Sequence, residues 1–425
     1  MAIAIALMRD KKVNPDKFSG VKITSYFAMI ELFVMLWFAL RPDAIKNIIF
    51  PQVAAEYRDY FLVVYAYAFS LIVYVFVILG VILGSYSKNK LPLIAGRYVF
   101  GFMSMRRFTG WRGASFLYSM GLFSYFYFLQ QIGGLSNLWS DISQRVLLTA
   151  GLGYYQSLYV FLITVSTAFL YVEFFHKRKF ILFLICSLSF FILASLGQRA
   201  PAAVMVFILI VVHHYKIKPI KQLITKKLFI VISVVLLFMY LTVQLRPSSE
   251  DVDVTTRIER DVIQRLGTIE RQIVVAGYFE THEYWGTGLY ASLIYAIIPR
   301  GLFPEKPPVD TGVYLNDIRQ GGSLTPPVPV EDLAPSSWPD GYLAGYMSFG
   351  IVGLICLSFL SGYFYGLVYR LTRMMNYSTV SIIFYSLIGF MGVTPLNPFG
   401  ITRIMILLLF FMVLGFFSRI SFNRT

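Results

Sequence analysis

Long apolar runs are the feature that most constrains how this chain can fold. A helix needs roughly 20 apolar residues to cross the hydrocarbon core of a bilayer, and the sequence contains about ten such runs. They cover residues 23–40, 60–84, 115–132, 153–175, 180–196, 202–212, 228–245, 341–369, 378–393 and 401–417. The sixth run is short and would have to include residues from its flanks to span. Since 57% of all residues are apolar and 17% are aromatic, we predict an all-α polytopic membrane protein with about ten transmembrane helices.

One large polar segment, residues 246–340, separates two predicted membrane bundles. Residues 1–245 would form an N-terminal bundle of seven spans, and residues 341–425 a C-terminal bundle of three. The segment between them holds 14 of the 22 carboxylates but only 8 of the 37 lysines and arginines. Because hydrocarbon cannot host this many charges, we expect a large loop that stands in water on one membrane face.

The net charge of +15 indicates membrane orientation rather than a nucleic-acid partner. Basic residues are concentrated, with almost no acids, in short segments on the side of the N-terminus, such as residues 85–112 and 213–227. Short basic loops of this kind lie on the cytosolic side of a membrane. With an even number of spans, both termini are then cytosolic and the large loop is extracytoplasmic.

Basic residues on the predicted outer face are nearly all arginines, and only Lys46 and Lys306 are lysines there. A guanidinium keeps its charge and grips phosphate or carboxylate through two parallel hydrogen bonds. The bias therefore indicates a phosphate-bearing partner, although easier export of arginine or local pairing with the loop acids explains it as well. Four of these arginines lie at the predicted outer interface: Arg199, Arg246, Arg300 and Arg403.

Within the loop, residues 255–275 are predicted to form an amphipathic helix. Apolar residues recur there every three or four positions, which leaves Arg271 and its charged neighbours on a solvent-facing side. Residues 288–298 are apolar and are expected to dip into the membrane interface. The prolines and glycines that follow, as far as Asp340, predict an extended loop rather than a helix.

Acid–base chemistry on the outer face has two candidate residues, His282 and Asp340. His282 is the one histidine predicted on that side, and a histidine titrates near neutral pH; Asp340 lies where the loop meets the next span. An ordinary surface histidine and a helix-capping aspartate are the alternative interpretations. Asp251 and Asp253 match a metal-binding D-x-D pattern, but they lie in an acidic stretch before a helix, so we expect neither a metal nor a cofactor.

Three short motifs are spread over most of the chain. They are the turn Gly197-Gln198-Arg199-Ala200, the run Ile298-Pro299-Arg300 with Pro304-Glu305-Lys306-Pro307, and the span segment Phe349-Gly350-Ile351-Val352-Gly353. In this order they resemble the Wzy-type O-antigen, or oligosaccharide repeat-unit, polymerases. The chain departs from the family pattern at Gln198, where a small hydroxyl residue is typical, and at Asp340-Gly341, where a Gly-Glu pair is typical.

The resemblance implies a GT-C-like glycosyltransferase in the bacterial plasma (inner) membrane. Such an enzyme moves a growing glycan from one polyprenyl-pyrophosphate carrier to a sugar hydroxyl on another, with membrane lipid and a chain-length co-polymerase as candidate partners. Either His282 or Asp340 would deprotonate the acceptor hydroxyl. The pyrophosphate would be bound by Arg199, Arg246, Arg300, Arg319 and Arg403. Sugars would stack on Tyr284, Trp285, Trp338 and Tyr342.

Two other functions remain open on sequence grounds. An O-antigen ligase-like transferase would have the same architecture and would differ in attaching finished chains to lipid A core. A polysaccharide flippase or transporter predicts midplane charges, usually in related halves with broken helices. Only Glu31 and Glu173 are predicted intramembrane acids, and no halves repeat, so we prefer the transferase interpretation.

Overall fold

In the part of the chain that it describes, a computed structural model contains helices and no strands. That part comprises residues 10, 16–53, 55–87, 96, 106–135, 137, 152–195, 199–220, 269–296, 298, 302–303, 305–329, 332–333, 342–390 and 396–420. The seventh predicted span, residues 228–245, lies outside it.

The longer helices are numbered in chain order. They are α1 (Gly20–Ala39), α2 (Tyr60–Tyr86), α3 (Trp111–Gln131), α4 (Gly153–Phe174), α5 (Lys179–Ala194), α6 (Arg199–Val212), α7 (Ile269–Thr281), α8 (Gly312–Arg319), α9 (Leu343–Met374), α10 (Thr379–Phe390) and α11 (Pro398–Ile420). Shorter helical turns cover Pro42–Ala44, Ile45–Ile49, Phe50–Gln52, Ala55–Tyr57, Arg106–Thr109, His213–Ile217, Gly288–Ala291 and Ser292–Tyr295.

Six helices in the described part are long and apolar enough to cross a membrane. These are α1, α2, α4, α6 with its continuation to Ile217, α9 and α11. The predicted spans at 180–196 and 378–393 form the shorter helices α5 and α10, of 16 and 12 residues. At 1.5 Å per residue both fall short of a hydrocarbon core of about 30 Å. The architecture is that of an α-helical multi-pass membrane protein, and ten spans stay a prediction.

The chain divides into two compact units, which are described separately. The first consists of Met1–Ser87, Glu250–Tyr369 and Met391–Ile406, and the second of Lys88–Ser249, Arg370–Phe390 and Leu407–Thr425. In the second unit, α4 packs against α3, α5, α6 and α10. Phe161 of α4 also meets the rings of Phe410 and Phe411, each at 5.0 Å between centroids.

In the first unit, α2 packs against α1 and α7 and crosses α9 with the two backbones in close contact. The crossing has a pair of glycines on each helix, Gly80 and Gly84 on α2 and Gly362 and Gly366 on α9. A Cβ at any of the four positions would collide with a backbone atom of the other helix. Small residues four apart allow membrane helices to approach this closely, so the two G-x-x-x-G patterns fix this contact.

Helix α9 is broken near its start. Gly350 has φ +64° and ψ −150°, a conformation that is essentially restricted to glycine. The chain bends back here, since a Cβ on Gly345 would lie 2.7 Å from the carbonyl oxygen of Gly353. In a straight helix these two residues would be about 12 Å apart. The predicted span 341–369 is therefore a short helical segment, residues 343–348, followed by a long helix.

The loop helix α7 corrects one prediction. The helix is described from Ile269 to Thr281, and residues 269–279 are all buried. Arg271, predicted on a solvent-facing side, is only 5% exposed, so that prediction is wrong. Apolar periodicity shows which face of a helix is most apolar, but it does not show how many faces are covered by neighbours. Helix α7 packs against both α2 and α8, which cover more than one face.

A second prediction, that the stretch ending at Asp340 is extended throughout, is wrong at α8, which is helical. No proline occurs between residues 309 and 323, so the backbone hydrogen bonds of a helix can form there. The helix ends where Gly321 adopts φ +85°, a common way for glycine to terminate a helix. The apolar residues 288–298 form only short helical turns in the described positions, which are too short to cross a bilayer.

Candidate functional site

Six of the predicted site residues lie in the first unit with described side chains: His282, Tyr284, Trp285, Arg319, Tyr342 and Arg403. Arg199 begins α6 in the second unit, and its side chain is not among those described. The remaining predicted residues lie outside the described part: Arg246, Arg300, Trp338 and Asp340.

His282 directly follows α7, and the end of that helix holds its ring. Nδ1 lies 2.9 Å from the carbonyl oxygen of Tyr278 and 2.9 Å from Oγ1 of Thr281. The imidazole also stacks on the Tyr278 ring, with centroids 4.0 Å apart. A carbonyl oxygen can only accept a hydrogen bond, so Nδ1 carries a hydrogen, and in the neutral ring the lone pair is then on Nε2.

The free lone pair is what a general base requires. His282 is exposed, and no described residue makes a hydrogen bond to Nε2. A fixed tautomer with an accessible Nε2 can take a proton from a hydroxyl group that reaches it.

Aromatic rings surround this end of α7. Phe279 stacks on Tyr284 with centroids 5.3 Å apart and meets Trp285 edge-on at 5.3 Å. Tyr284 is 47% exposed, so part of its ring is open to a ligand, whereas Trp285 is only 8% exposed. Trp285 packs against Tyr314 of α8 at 5.8 Å. The ring of Trp285 is therefore a packing element, and it offers no open face on which a sugar could stack.

The loop that carries His282 is hydrogen-bonded to the break in α9. The N–H groups of Trp285 and Gly286 donate to the carbonyl oxygens of Met347 and Ser348, both at 2.9 Å. These carbonyls lie at the end of the short segment 343–348, where helical partners are lost. The ring of Tyr284 lies over Gly350, and a Cβ there would come within 2.9 Å of it. The break in α9 thus fixes the position of the loop.

Tyr342 belongs to a buried hydrogen-bond network rather than to an open surface. Its hydroxyl donates to Oε1 of Glu31 at 3.2 Å, lies 2.6 Å from Oγ of Ser70, and accepts from Nε2 of Gln272. Tyr74 donates to the other carboxylate oxygen of Glu31. Because Tyr342 is only 5% exposed, its ring is not accessible to a sugar, contrary to the sugar-stacking prediction.

Arg403 lies near the start of α11, with its guanidinium carbon 3.9 Å from the centroid of the Phe399 ring. The side chain is exposed. Among the described residues, no carboxylate lies within ion-pair distance of it. A ring face attracts the cation without using its N–H groups, so the contact with Phe399 leaves the donor edge of Arg403 able to bind an anion in two-pronged fashion.

Asp310, just before α8, is a carboxylate near Arg403 that the sequence interpretation missed. It is partly buried, and its Oδ1 accepts a hydrogen bond of 3.0 Å from the N–H of Gly312. Burial raises the pKa of Asp310, while this hydrogen bond and the positive charge of Arg403 act in the opposite direction. The only sequence signal was an acid placed just before a proline-free stretch.

Helix α8 connects these groups within the first unit. Its residue Tyr314 contacts Trp285 beside His282, and its N-terminal end follows Asp310, which interacts with Arg403. Arg319, half-buried, is the last residue of the same helix. Ring contacts thus link the predicted base to α8, and Asp310, just before that helix, lies within reach of the charge of Arg403.

The second sequence motif has a structural contact of its own. Lys306 is buried, and its ammonium group donates to the carbonyl oxygens of Tyr295 and Ile298. The lysine therefore ties the proline-rich stretch to the turn before it.

Metal ligands are not clustered in the described part of the chain, where no group of three or more His, Cys, Asp or Glu side chains could hold an ion. The D-x-D residues Asp251 and Asp253 lie outside it.

In comparisons with known proteins, no family model, no curated protein and no solved structure matches the chain.

Proposed function

We propose that this protein is a metal-independent membrane glycosyltransferase that polymerises polyprenyl-pyrophosphate-linked oligosaccharide repeat units. The reaction would take place at the outer face of a bacterial plasma membrane, with both termini of the protein in the cytosol and the large loop outside. The product would be O-antigen or a related surface polysaccharide. The motif resemblance supports this proposal, and the geometry around His282 and Arg403 supplies a chemistry for it.

The acceptor sugar loses its hydroxyl proton to Nε2 of His282. The resulting oxygen attacks the anomeric carbon of the donor sugar as the bond from that carbon to the carrier pyrophosphate breaks. The tautomer held by Tyr278 suits this step, because the ring is already oriented for proton transfer. Tyr284 offers a partly exposed ring beside the base, and such a ring can pack against a sugar face.

Negative charge develops on the leaving pyrophosphate, and a fixed cation near it lowers the barrier. Arg403 suits this role because its N–H edge is not used by an ion pair with a described carboxylate. A planar guanidinium also matches phosphate geometry better than an ammonium group does.

The observation that carries the proposal is the ring of His282. A stacked imidazole with Nδ1–H on a carbonyl and an exposed Nε2 is what a general base needs.

The test uses purified protein, lipid-linked repeat units and a gel that resolves chain length. His282→Gln is expected to lower the rate of chain extension by about 10²-fold or more, and Arg403→Lys should also lower it, because a point charge cannot replace the two-pronged grip. The matched controls are His176→Gln and Arg41→Lys. Both residues are exposed, and Arg41 also lies over an aromatic ring, Trp37, at 5.7 Å.

Deletion of the gene in its host separates the alternatives. Loss of the long-chain ladder, with one repeat unit still attached to the acceptor, supports a polymerase. Loss of all attached polysaccharide, with polymer accumulating on the carrier, indicates a ligase instead. Single units that accumulate on the cytosolic face indicate a transporter.

In the test with purified protein, full activity of both His282→Gln and Arg403→Lys would overturn the assigned chemistry.

A further inference from the structure

The hydrogen-bond network around the half-buried Glu31 has no part in the chemistry described above. It joins four segments of the first unit: Glu31 on α1, Ser70 and Tyr74 on α2, Gln272 on α7, and Tyr342 directly before α9. Polar groups among membrane helices are costly unless hydrogen bonds satisfy them. These contacts link residues as far as 311 positions apart in the chain.

The hydrogen bonds of the network converge on the Glu31 carboxylate. Tyr74 donates to Oε2 and Tyr342 to Oε1, so each tyrosine spends its one hydroxyl hydrogen on Glu31. The amide of Gln272 donates to Tyr342 and, at 2.8 Å, to Oγ of Ser70. An amide in place of the carboxylate would present N–H to one of the two tyrosine hydroxyls, and that hydroxyl would have to point its own hydrogen elsewhere and accept instead of donating.

One path leads from Glu31 to His282 through α7. Glu31 fixes the hydroxyl of Tyr342, which accepts from Gln272 near the start of the described helix. Helix α7 then runs without interruption to Tyr278, whose carbonyl oxygen accepts from Nδ1 of His282. The network therefore restrains the helix whose end orients the ring.

A second path leads through the short segment 343–348. Tyr342 immediately precedes this segment, and the segment ends with the carbonyl oxygens of Met347 and Ser348. These oxygens accept from the N–H groups of Trp285 and Gly286, in the loop that carries His282. The two elements that contact the His282 loop, α7 and the segment 343–348, therefore both contain or directly follow a residue of the Glu31 network.

We propose that Glu31 is a positioning residue for His282, acting through Tyr342 and Gln272. Glu31 touches no reacting atom; its carboxylate fixes α7 and the segment 343–348 relative to α1, and these two elements together orient the imidazole. This role rests on the proposed function of His282 as the base. Small misplacements of a catalytic group are costly, about 10²-fold in rate for about 1 Å.

The experiment compares Glu31→Gln and Tyr342→Phe with the control Tyr369→Phe. Tyr369 is also a buried tyrosine of the first unit, and it donates to a different carboxylate, Asp16, at 2.7 Å. Chain extension is measured as kcat and KM on lipid-linked repeat units. We expect both network variants to lower kcat by about 10- to 100-fold with KM nearly unchanged, and the control to keep both constants.

A second measurement does not depend on activity. Diethylpyrocarbonate modifies accessible histidine nitrogens, and peptide mass mapping follows the rate at His282 separately from the other three histidines. A change in that rate in Glu31→Gln and Tyr342→Phe, but not in Tyr369→Phe, supports the positioning role. A global loss of fold would also raise the labelling of His214, which is buried in the folded protein.

The outcomes separate the inference from the proposed function. If wild-type protein extends chains and the two network variants keep both kcat and the His282 labelling rate, the positioning role is overturned and the polymerase proposal stands. If labelling changes in both variants but wild-type protein extends no chains, the restraint on His282 is real and the polymerase proposal fails.

Discussion

At the residue scale, the chemistry depends on which polar groups are already committed to protein partners. Nδ1 of His282 is committed to a backbone carbonyl and Nε2 is not, while Lys306 spends its ammonium group on two carbonyls. Arg403 keeps its donor edge, because Phe399 binds the face of the guanidinium. Residue type alone does not distinguish these cases. A cation whose N–H groups already bind protein oxygens and a cation whose N–H edge is available cannot be told apart in a sequence.

Asp310 provides a pH-dependent prediction at this scale. Its folded-state pKa is raised above the ordinary value of 3.8, with burial as the main cause. The folded protein therefore holds this proton more tightly than the unfolded chain does. Ionisation then costs stability as the pH rises from the unfolded pKa through the raised folded value, and the cost remains at higher pH.

Asp310→Asn removes that cost while its amide oxygen can still accept from Gly312. We expect the variant to unfold at a higher temperature than wild type near neutral pH, and the difference to shrink as the pH falls toward about 4. Thermal unfolding in detergent at several pH values measures this. Asp332→Asn, at an exposed carboxylate, is the control. A variant that is less stable at neutral pH would mean that attraction to Arg403 outweighs burial.

At the scale of elements, the break in α9 explains two glycines of the third motif. Gly350 supplies the backbone conformation of the reversal, and Gly353 allows the close approach to Gly345. The freed carbonyls then bind the loop that carries His282. A pattern first noticed as a family resemblance thus has a physical basis within this chain, independent of any substrate.

Three glycine-to-alanine variants test the break. Gly350→Ala adds backbone strain and a collision with Tyr284, so we expect a loss of at least about 1–3 kcal/mol of stability. Gly286→Ala adds only the strain of φ +56° in open space, about 1–2 kcal/mol. Gly153→Ala, at the first position of α4, adds neither and should change stability little. Unfolding temperatures in detergent should follow this order, and a Gly350→Ala variant as stable as Gly153→Ala would contradict the interpretation.

At the scale of the whole molecule, orientation in the membrane decides whether the proposed chemistry is possible. The candidate base, the partly exposed tyrosine and Arg403 belong to the first unit, and the proposal requires them to face the compartment that holds the lipid-linked glycan. Charge asymmetry between the short loops predicts this orientation. The six helices capable of crossing a membrane in the described part are compatible with it.

Cysteine labelling tests the orientation directly. The native residues Cys186 and Cys356 are replaced by alanine, and single cysteines are introduced as Ser323→Cys in the large loop or Lys177→Cys between α4 and α5. Both positions are exposed. In spheroplasts, a membrane-impermeant maleimide should label position 323 at once and position 177 only after the membrane is opened. The reverse pattern would place the loop in the cytosol and remove the basis for polymerisation outside.

The sequence alone determined the helical membrane class and the approximate positions of α1, α2, α4, α6 and α11. Span length and hydrophobicity are local properties, because each helix satisfies its own backbone hydrogen bonds in lipid. The sequence also singled out His282 and Arg403 as candidate residues. Their proposed roles stay predictions that only the experiments can decide.

Only the tertiary structure decided what surrounds those residues. Burial of Arg271, the restraint on the His282 ring, the interaction between Asp310 and Arg403, and the network on Glu31 all depend on segments that pack together. Periodicity within one helix cannot reveal a partner that lies far away in the chain. The physical reason is that local propensity acts over a few residues, whereas packing and desolvation depend on every element in contact.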